Sequence, residues 1–468
     1  MSVEWRKSRP ISHLTLAADL PPTPPALTER EIERSLAVNM LSGVLGMVWA
    51  AVAYGMPLPL LMRAVAASGF ELGVLAALRQ AAMLAQLPGA FLIERFSRRK
   101  PFWAAIVILH RAMWFIPALM PLLFPHNKEL WPLGIILALG LSDVLAHAGT
   151  AAWFSWMADL LPAERAGRFW GMRQRVLSIA IVAASLACGV VLDVFTKPGQ
   201  EFLGFTIVFA AAATFGVADI VAHLWVAEPA PAPGAMHERW WRRIAEPLRD
   251  RDFLRLTLAF GAWTCALALP GYSGGIPGFF NVVYLKESFG ASYSQASWII
   301  IASALSAVFW APWIGRLIDR WGARKVALRL MAVGPIGTLA WFFASPVQWQ
   351  HPLLGPTPVP QAVVLISAMS LLVGGLYGGA QLCQMRLTQA HTTSAGRTVA
   401  MAVHWSIVGL ITALGPLAAG AIKDHFPAGL AAIALPGGTP FSYFQVLILL
   451  QLAIAWGIAL PLVRGIRG

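Results

Sequence analysis

The sequence predicts an all-α integral membrane protein, with twelve transmembrane helices in two pseudo-symmetric six-helix bundles. Three observations carry that expectation. Hydrophobic residues make up 58% of the 468-residue chain and charged residues only 12%, about half the charge of an ordinary soluble domain. Apolar runs of the ~20 residues that cross a bilayer as helix recur along the whole chain. The chain also repeats itself. Gly315–Lys325 reads GRLIDRWGARK and Ala90–Lys100 reads AFLIERFSRRK, and the two align without gaps. Helices rather than a barrel follow, because the short alternating segments of membrane strands are missing from the sequence.

Twelve spans lie near 37–62, 70–93, 102–124, 131–158, 171–195, 203–227, 253–285, 293–314, 326–345, 361–385, 398–422 and 443–463. Each loop is numbered after the span it follows. The expected organisation is a tail at 1–35, a first bundle at 36–227, a linker at 228–252 and a second bundle at 253–468. The tail is polar, with PPTPP at 21–25 and no apolar core like that of a cleaved leader. Thr28 and Glu31 fit a capping box that opens the first span.

The net charge of +13 reports topology rather than a nucleic-acid partner. The odd loops and adjoining span ends hold only Arg63, Lys128, Lys197, Lys286 and Lys423, and Arg79 and Arg111 lie within spans. The other Lys and Arg sit on the tails, the even loops and adjoining span ends, which places both termini in the cytoplasm of a multi-pass cell-membrane protein of bacterial inner-membrane type. Anionic lipid is attracted to the same charges. In the linker, Trp240–Ile244 suits a helix lying in the membrane interface. Cys188, Cys265 and Cys383 all fall inside apolar runs. They read as packing rather than as disulfides or a metal site.

The two copies of the loop motif are where chemistry concentrates. In each, a tight turn with fixed basic charge joins two spans, and Glu94 stands where the other copy has Asp319. Gly322 suits a left-handed turn and Gly315 a close helix approach. Arg95, Arg99, Arg320, Arg324 and Lys325 suit charge-assisted bonds to acids. The second copy resembles the loop signature of the major facilitator superfamily, Gly-x-x-x-Asp-Arg-x-Gly-x-Arg-Lys. The first departs from it at Ala90, Glu94 and Ser97. Two further matches extend the repeat: Ala166-Gly167-Arg168 with Ala395-Gly396-Arg397, and ACGVVLDVF at 187–195 with AAGAIKDHF at 418–426.

That resemblance implies a transporter in which spans one, four, seven and ten line a central cavity opening to each side in turn. It also implies that each charged loop docks on the other half. Asp159 and Glu164 would then receive the second copy, whereas the segment 386–397 opposite the first holds no acid. Span five lacks a Gly-Pro pair and span four lacks an arginine. Both absences weigh against the drug-exporting branch.

Span seven contains LPGYSGGIPGFFN at 269–281 and span one contains YGMPLP at 54–59. Matching interruptions point to a substrate path or gate, or to a structural kink. Arg79, Arg111, Asp143 and His147 lie deep in spans, where charge is costly. The pairings Arg111–Asp143 and Arg79–Asp143 both remain open. Either is a proton or substrate site, or a static ion pair holding the bundle. Asp219 and His223 read as interfacial. Tyr377, Gln381 and Gln384 share one face of span ten, and with Asn281 they suit substrate contact or packing between helices.

The expectation is a secondary transporter for a small solute, with protons as the coupling ion, import favoured, and a monomer. No cofactor, metal or enzyme activity is expected. The nearest zinc-protease pattern, His237-Glu238, ends at Trp241 and fails. An exporter of the same fold, a non-transporting sensor and a membrane-embedded enzyme such as an acyltransferase are the alternatives.

Overall fold

The computed structural model describes residues 27–466, apart from 94, 95, 97, 230–239, 274, 275, 353–356 and 393–396. Glu94, Arg95 and the tail before residue 27 therefore lie outside the described residues.

The first half runs α1 (Glu29–Ala53), α2 (Pro57–Ala64), α3 (Gly69–Ala81), α4 (Gln86–Ile93), α5 (Arg99–Ala112), α6 (Phe115–Leu123), α7 (Trp131–Leu160), α8 (Ala163–Val194) and α9 (Glu201–His223). After α10 (Trp240–Leu248), the second half runs α11 (Arg251–Ala268), α12 (Phe279–Phe289), α13 (Tyr293–Trp321), α14 (Ala323–Val333), α15 (Gln361–Ala390), α16 (Arg397–Asp424), α17 (Tyr443–Ile454) and α18 (Leu460–Arg464). Two small hairpins pair β1 (Tyr272–Ser273) with β2 (Ile276–Pro277), and β3 (Gln348–Trp349) with β4 (Val359–Pro360).

Several of these are pieces of one span. The α1–α2 break falls at Tyr54–Met56, beside Pro57. Between α3 and α4 the chain tightens into a 3-10 turn at Ala82–Ala85. Pro335 opens a 3-10 stretch, Gly334–Phe343, that finishes the span begun by α14. Among the described residues, eleven helical stretches are long and apolar enough to cross a membrane. The expected seventh span is not one of them, for a physical reason. Its first piece carries Arg251, Asp252 and Arg255, and the hairpin of β1 and β2 cuts it from the 11-residue α12.

The predicted capping box at Thr28 is present, with reciprocal Thr28 and Glu31 bonds. Similar boxes open α3 at Ser68 and Glu71, and α13 at Ser292 and Gln295. Gly322 has φ of 79°, as the turn between α13 and α14 requires. Gly315 does not make the close approach expected of it, since a Cβ there would meet nothing within 4 Å. The flank of α13 beside it is open, with Phe309 and Trp313 more than half exposed.

The core divides unevenly. One large apolar cluster joins both halves toward the odd loops, from Trp49 and Leu60 to Phe280, Tyr284 and Phe444. Toward the even loops each half has its own core, around Trp103 and Trp156 in the first and around Phe260 and Met331 in the second. A small fourth cluster joins α10 and α16 across to Leu87 and Phe91 of α4. The predicted linker helix is α10, and its Ile244 packs in that cluster.

Candidate functional site: a cavity between the halves

The α3–α16 and α8–α13 seams hold the halves together, and each is fastened by one aspartate. Asp424, the last residue of α16, accepts from the N–H groups of Gly69 (2.6 Å) and Phe70 (2.7 Å) at the start of α3. Asp193, near the end of α8, accepts from the N–H groups of Tyr293 (2.7 Å) and Ser294 (2.9 Å) and from Ser292 Oγ (3.0 Å) at the start of α13. The first N–H groups of a helix have no partner within it and attract negative charge. Each aspartate thus caps a helix of the other half. Four residues before each stands a glycine. A Cβ on Gly189 would lie 2.6 Å from Ser294 Cα, and one on Gly420 would collide with the Gly69 carbonyl. Both Gly-x-x-x-Asp units belong to the repeat matched at 187–195 and 418–426. Arg63 and Glu287 add a looser link on the same face (3.8 Å).

Beneath this clasp lies a cavity of about 250 Å³ between the halves. Both interrupted spans border it. Tyr54 stands at the α1–α2 break, and Tyr272, Gly271, Gly278 and Phe279 stand at the break before α12. Gly271 has φ of 97°, a conformation open to glycine at little cost.

Arg79, Asp143 and His147 supply the charged and imidazole side of the wall. The structure selects Arg79 as the partner of Asp143, with Nε 3.2 Å from Oδ2. Arg79 Nη1 donates to the Ala53 carbonyl, freed where α1 ends, and its guanidinium lies 4.6 Å from the centre of the Tyr54 ring. Arg79 Nη2 has no partner, although the residue is only 8% exposed. His147 Nδ1 faces Gln86 Nε2 at 3.2 Å.

Arg111 pairs elsewhere, with Asp219 at 3.2 Å. The interfacial reading of Asp219 and His223 is therefore corrected. Both are buried, because α9 packs along α1 and α5. Arg111 also stacks 3.5 Å above Trp49. His223 Nε2 accepts from Trp153 (3.1 Å), so Nδ1 holds the proton and donates to Ser42 (2.9 Å). These groups line a second cavity of about 370 Å³ inside the first half, and Tyr54 borders both cavities.

Of the residues predicted on span ten, Gln381 lines the central cavity. Tyr377 and Gln384 do not; the Tyr377 hydroxyl and Gln384 Nε2 bond inside the second half, while Gln384 Oε1 is buried without a partner. Tyr377 donates to the Gly334 carbonyl (3.0 Å), exposed where α14 gives way to the 3-10 stretch. Gln384 Nε2 donates to His404 Nε2 (2.9 Å), whose Nδ1 in turn meets Thr257 (2.9 Å). Buried polar atoms take the partner within reach, and here that partner is protein. Asn281 is 1% exposed on α12, away from the cavity wall, with neither amide atom bonded. Gln384→Ala strips His404 of its donor and is expected to cost about 1–3 kcal/mol of stability. Gln381→Ala is expected to leave the melting temperature of purified protein unchanged within a degree or two. Thermal unfolding in detergent checks both.

The loop motif is also placed differently from expectation. Asp159 is taken by Arg99 of the first copy, 2.6 Å away within the same half, and not by the second copy. Arg99 is buried beside the start of α5 and needs a counter-charge, and α7 packs against α5 and supplies it. Glu228 accepts from the Arg99 backbone N–H (2.6 Å). Asp319, Arg320, Lys325 and Glu164 are exposed. Arg324 donates to the Arg464 carbonyl (2.5 Å) in its own half.

The sequence matches the Major Facilitator Superfamily over residues 38–416. The chain belongs to that superfamily. No curated protein matches it by sequence. Among solved structures, a variant of the nucleoside transporter NupG matches with a TM-score of 0.68 and 13% identity, over 92% of this chain and 99% of that one. A bacterial homologue of the human lysosomal transporter Spinster, inward-facing and unoccupied, gives 0.67 and 16%, over 94% and 98%. A D-xylose–proton symporter gives 0.60 and 17%, over 90% and 95%. At these identities the likeness shows the fold alone. It does not carry a substrate across.

Proposed function

We propose that the chain is a secondary active transporter that moves a small solute by rocking its two halves about the central cavity. The observation that carries this is the clasp. Polar contacts across the halves gather at the odd-loop end of the cavity, while Arg99–Asp159, Arg165–Glu29 and Arg255–Asp252 at the even-loop end each stay within one half. With the even loops cytoplasmic by the charge rule, this arrangement corresponds to an inward-facing state. In the opposite state the exposed Asp319 and Arg320 would meet the end of α7 and the start of α8, where Glu164 stands free, and Asp159 would be shared with Arg99. Protons couple the cycle through Asp143.

Alternating access has a direct test. A cysteine placed at Thr412, on the cavity wall, is expected to react with an impermeant maleimide from the even-loop side in the resting protein. A fraction of molecules should react from the odd-loop side once solute is added. In intact cells, cysteines at 125–130 and 346–360 should label from outside and cysteines in the linker at 228–252 should not. Labelling of the linker from outside would overturn the orientation. Reaction at Thr412→Cys from one side only, with and without solute, would favour a sensor.

A further inference from the structure

The central cavity is chemically lopsided. Its ionisable groups are the Arg79–Asp143 pair, His147 and two tyrosines, Tyr54 and Tyr272. The wall contributed by the second half is mostly apolar, with Leu267, Phe279, Trp405, Val408 and Pro416 beside the amide of Gln381. Thr264 and Thr412 face the cavity but bond each other at 2.5 Å, so their hydroxyls are largely spent. A polyol would need more donors and acceptors than the amides of Gln80 and Gln381 supply, because each unmatched polar group costs desolvation. A cation would find one carboxylate, already held by an arginine that stays charged.

What the cavity does offer is a guanidinium with a free end. Arg79 lines this apolar, aromatic-walled space, and its Nη2 is enclosed behind it without a partner. A planar carboxylate is the group that matches an arginine fork. The second cavity, also bordered by Tyr54, agrees in sign. Arg111 and Arg173 line it against the single carboxylate of Asp219.

Resting on the transporter reading, we infer that the solute is a small organic monoanion with a flat apolar body, such as an aromatic carboxylate, carried together with one proton. The carboxylate takes Arg79 and displaces Asp143. Two carboxylates and one guanidinium would leave a net buried negative charge, which is costly. A proton from the same aqueous side therefore moves onto Asp143, and anion and proton cross together without net charge. The other titratable groups on this side are His147 one turn along α7 and Tyr54 at the end of α1, both on the cavity wall, and His110 on α5, which bonds Ser142 Oγ (2.7 Å) behind it. Among the described residues, Tyr272 is the one titratable group that the second half contributes to the cavity wall.

The test uses purified protein in proteoliposomes, with benzoate and phenylacetate against benzamide, phenylacetamide, uridine and D-xylose. The carboxylates are expected to bind on the order of tenfold to a hundredfold more tightly than their amides. They should show counterflow, and their uptake rate should be unaffected by a potassium diffusion potential. The doubly neutral variant Arg79→Gln/Asp143→Asn removes both charges together and should reverse the preference toward the amides. Counterflow of uridine or xylose without carboxylate binding overturns the solute class and leaves the transporter standing. Carboxylate binding without counterflow keeps the class and removes the transporter. No carboxylate binding to folded protein, or uptake that follows the membrane potential, overturns this inference.

Discussion

Replacing Asp193 and Asp424 together with alanine is expected to swing the protein toward the state open at its odd-loop face. Each carboxylate holds two or more helix-terminal donors of the opposite half. Loss of such a cap costs about 1–2 kcal/mol, with the helix dipole included. The two sites lie on different seams and share no partner, so their costs should add. A sum of about 2–4 kcal/mol moves a two-state equilibrium on the order of a hundredfold. The state that loses is the clasped one, because only there are the donors satisfied by the other half. A cysteine at Ala268, on the cavity wall, reports the change. Its labelling by impermeant maleimide from the odd-loop side should rise at least about tenfold in the double variant, and by intermediate amounts in each single one. The native cysteines are buried and supply a low background. Unchanged labelling in a folded double variant would mean that apolar packing, not the caps, holds this face shut.

These caps show what a sequence can and cannot reveal here. The two Gly-x-x-x-Asp units were visible as a repeat, because repetition needs only the chain itself. Their role was not, since it depends on which helix of the other half arrives at the aspartate. The same limit separates other residues. The turn at Gly322 was legible because its backbone geometry is local, whereas the open flank at Gly315 depends on how far α13 stands from its neighbours. Asp143 had two candidate arginines at similar depth, and only the rotation of α3 against α7 chooses Arg79. Tyr377, Gln381 and Gln384 do share a helical stripe, but a stripe has edges. The freed Gly334 carbonyl and the His404 ring lie at those edges and claim two of the three. Asp219 looked interfacial from its place near the end of a span, and Arg111 and Arg173 make it a buried counter-charge instead.

Asp143→Asn should separate binding from pumping. On the proton-coupled reading proposed above, the anion competes with Asp143 for Arg79 in the wild type and wins only when Asp143 takes up a proton. Affinity for benzoate should therefore fall as pH rises, by up to about tenfold per unit, because one proton is bound with each anion. Asparagine keeps the shape of the side chain and cannot charge. The variant should bind benzoate more tightly than wild type at high pH, and its affinity should no longer depend on pH. It should still exchange benzoate across the membrane, and it should fail to accumulate it under an imposed proton gradient. Arg79 is left buried without its counter-charge, so the empty variant should also melt lower, and benzoate should restore more stability to it than to wild type. A purely architectural ion pair makes different demands. The variant would then be destabilised with no rescue by benzoate, and any remaining uptake would keep its wild-type dependence on pH. Isothermal titration at three pH values, thermal unfolding with and without benzoate, and gradient-driven uptake together decide between the two. Accumulation that survives in the folded variant with its pH dependence intact would place the proton on another group, and His147 is the one nearest at hand on the same wall.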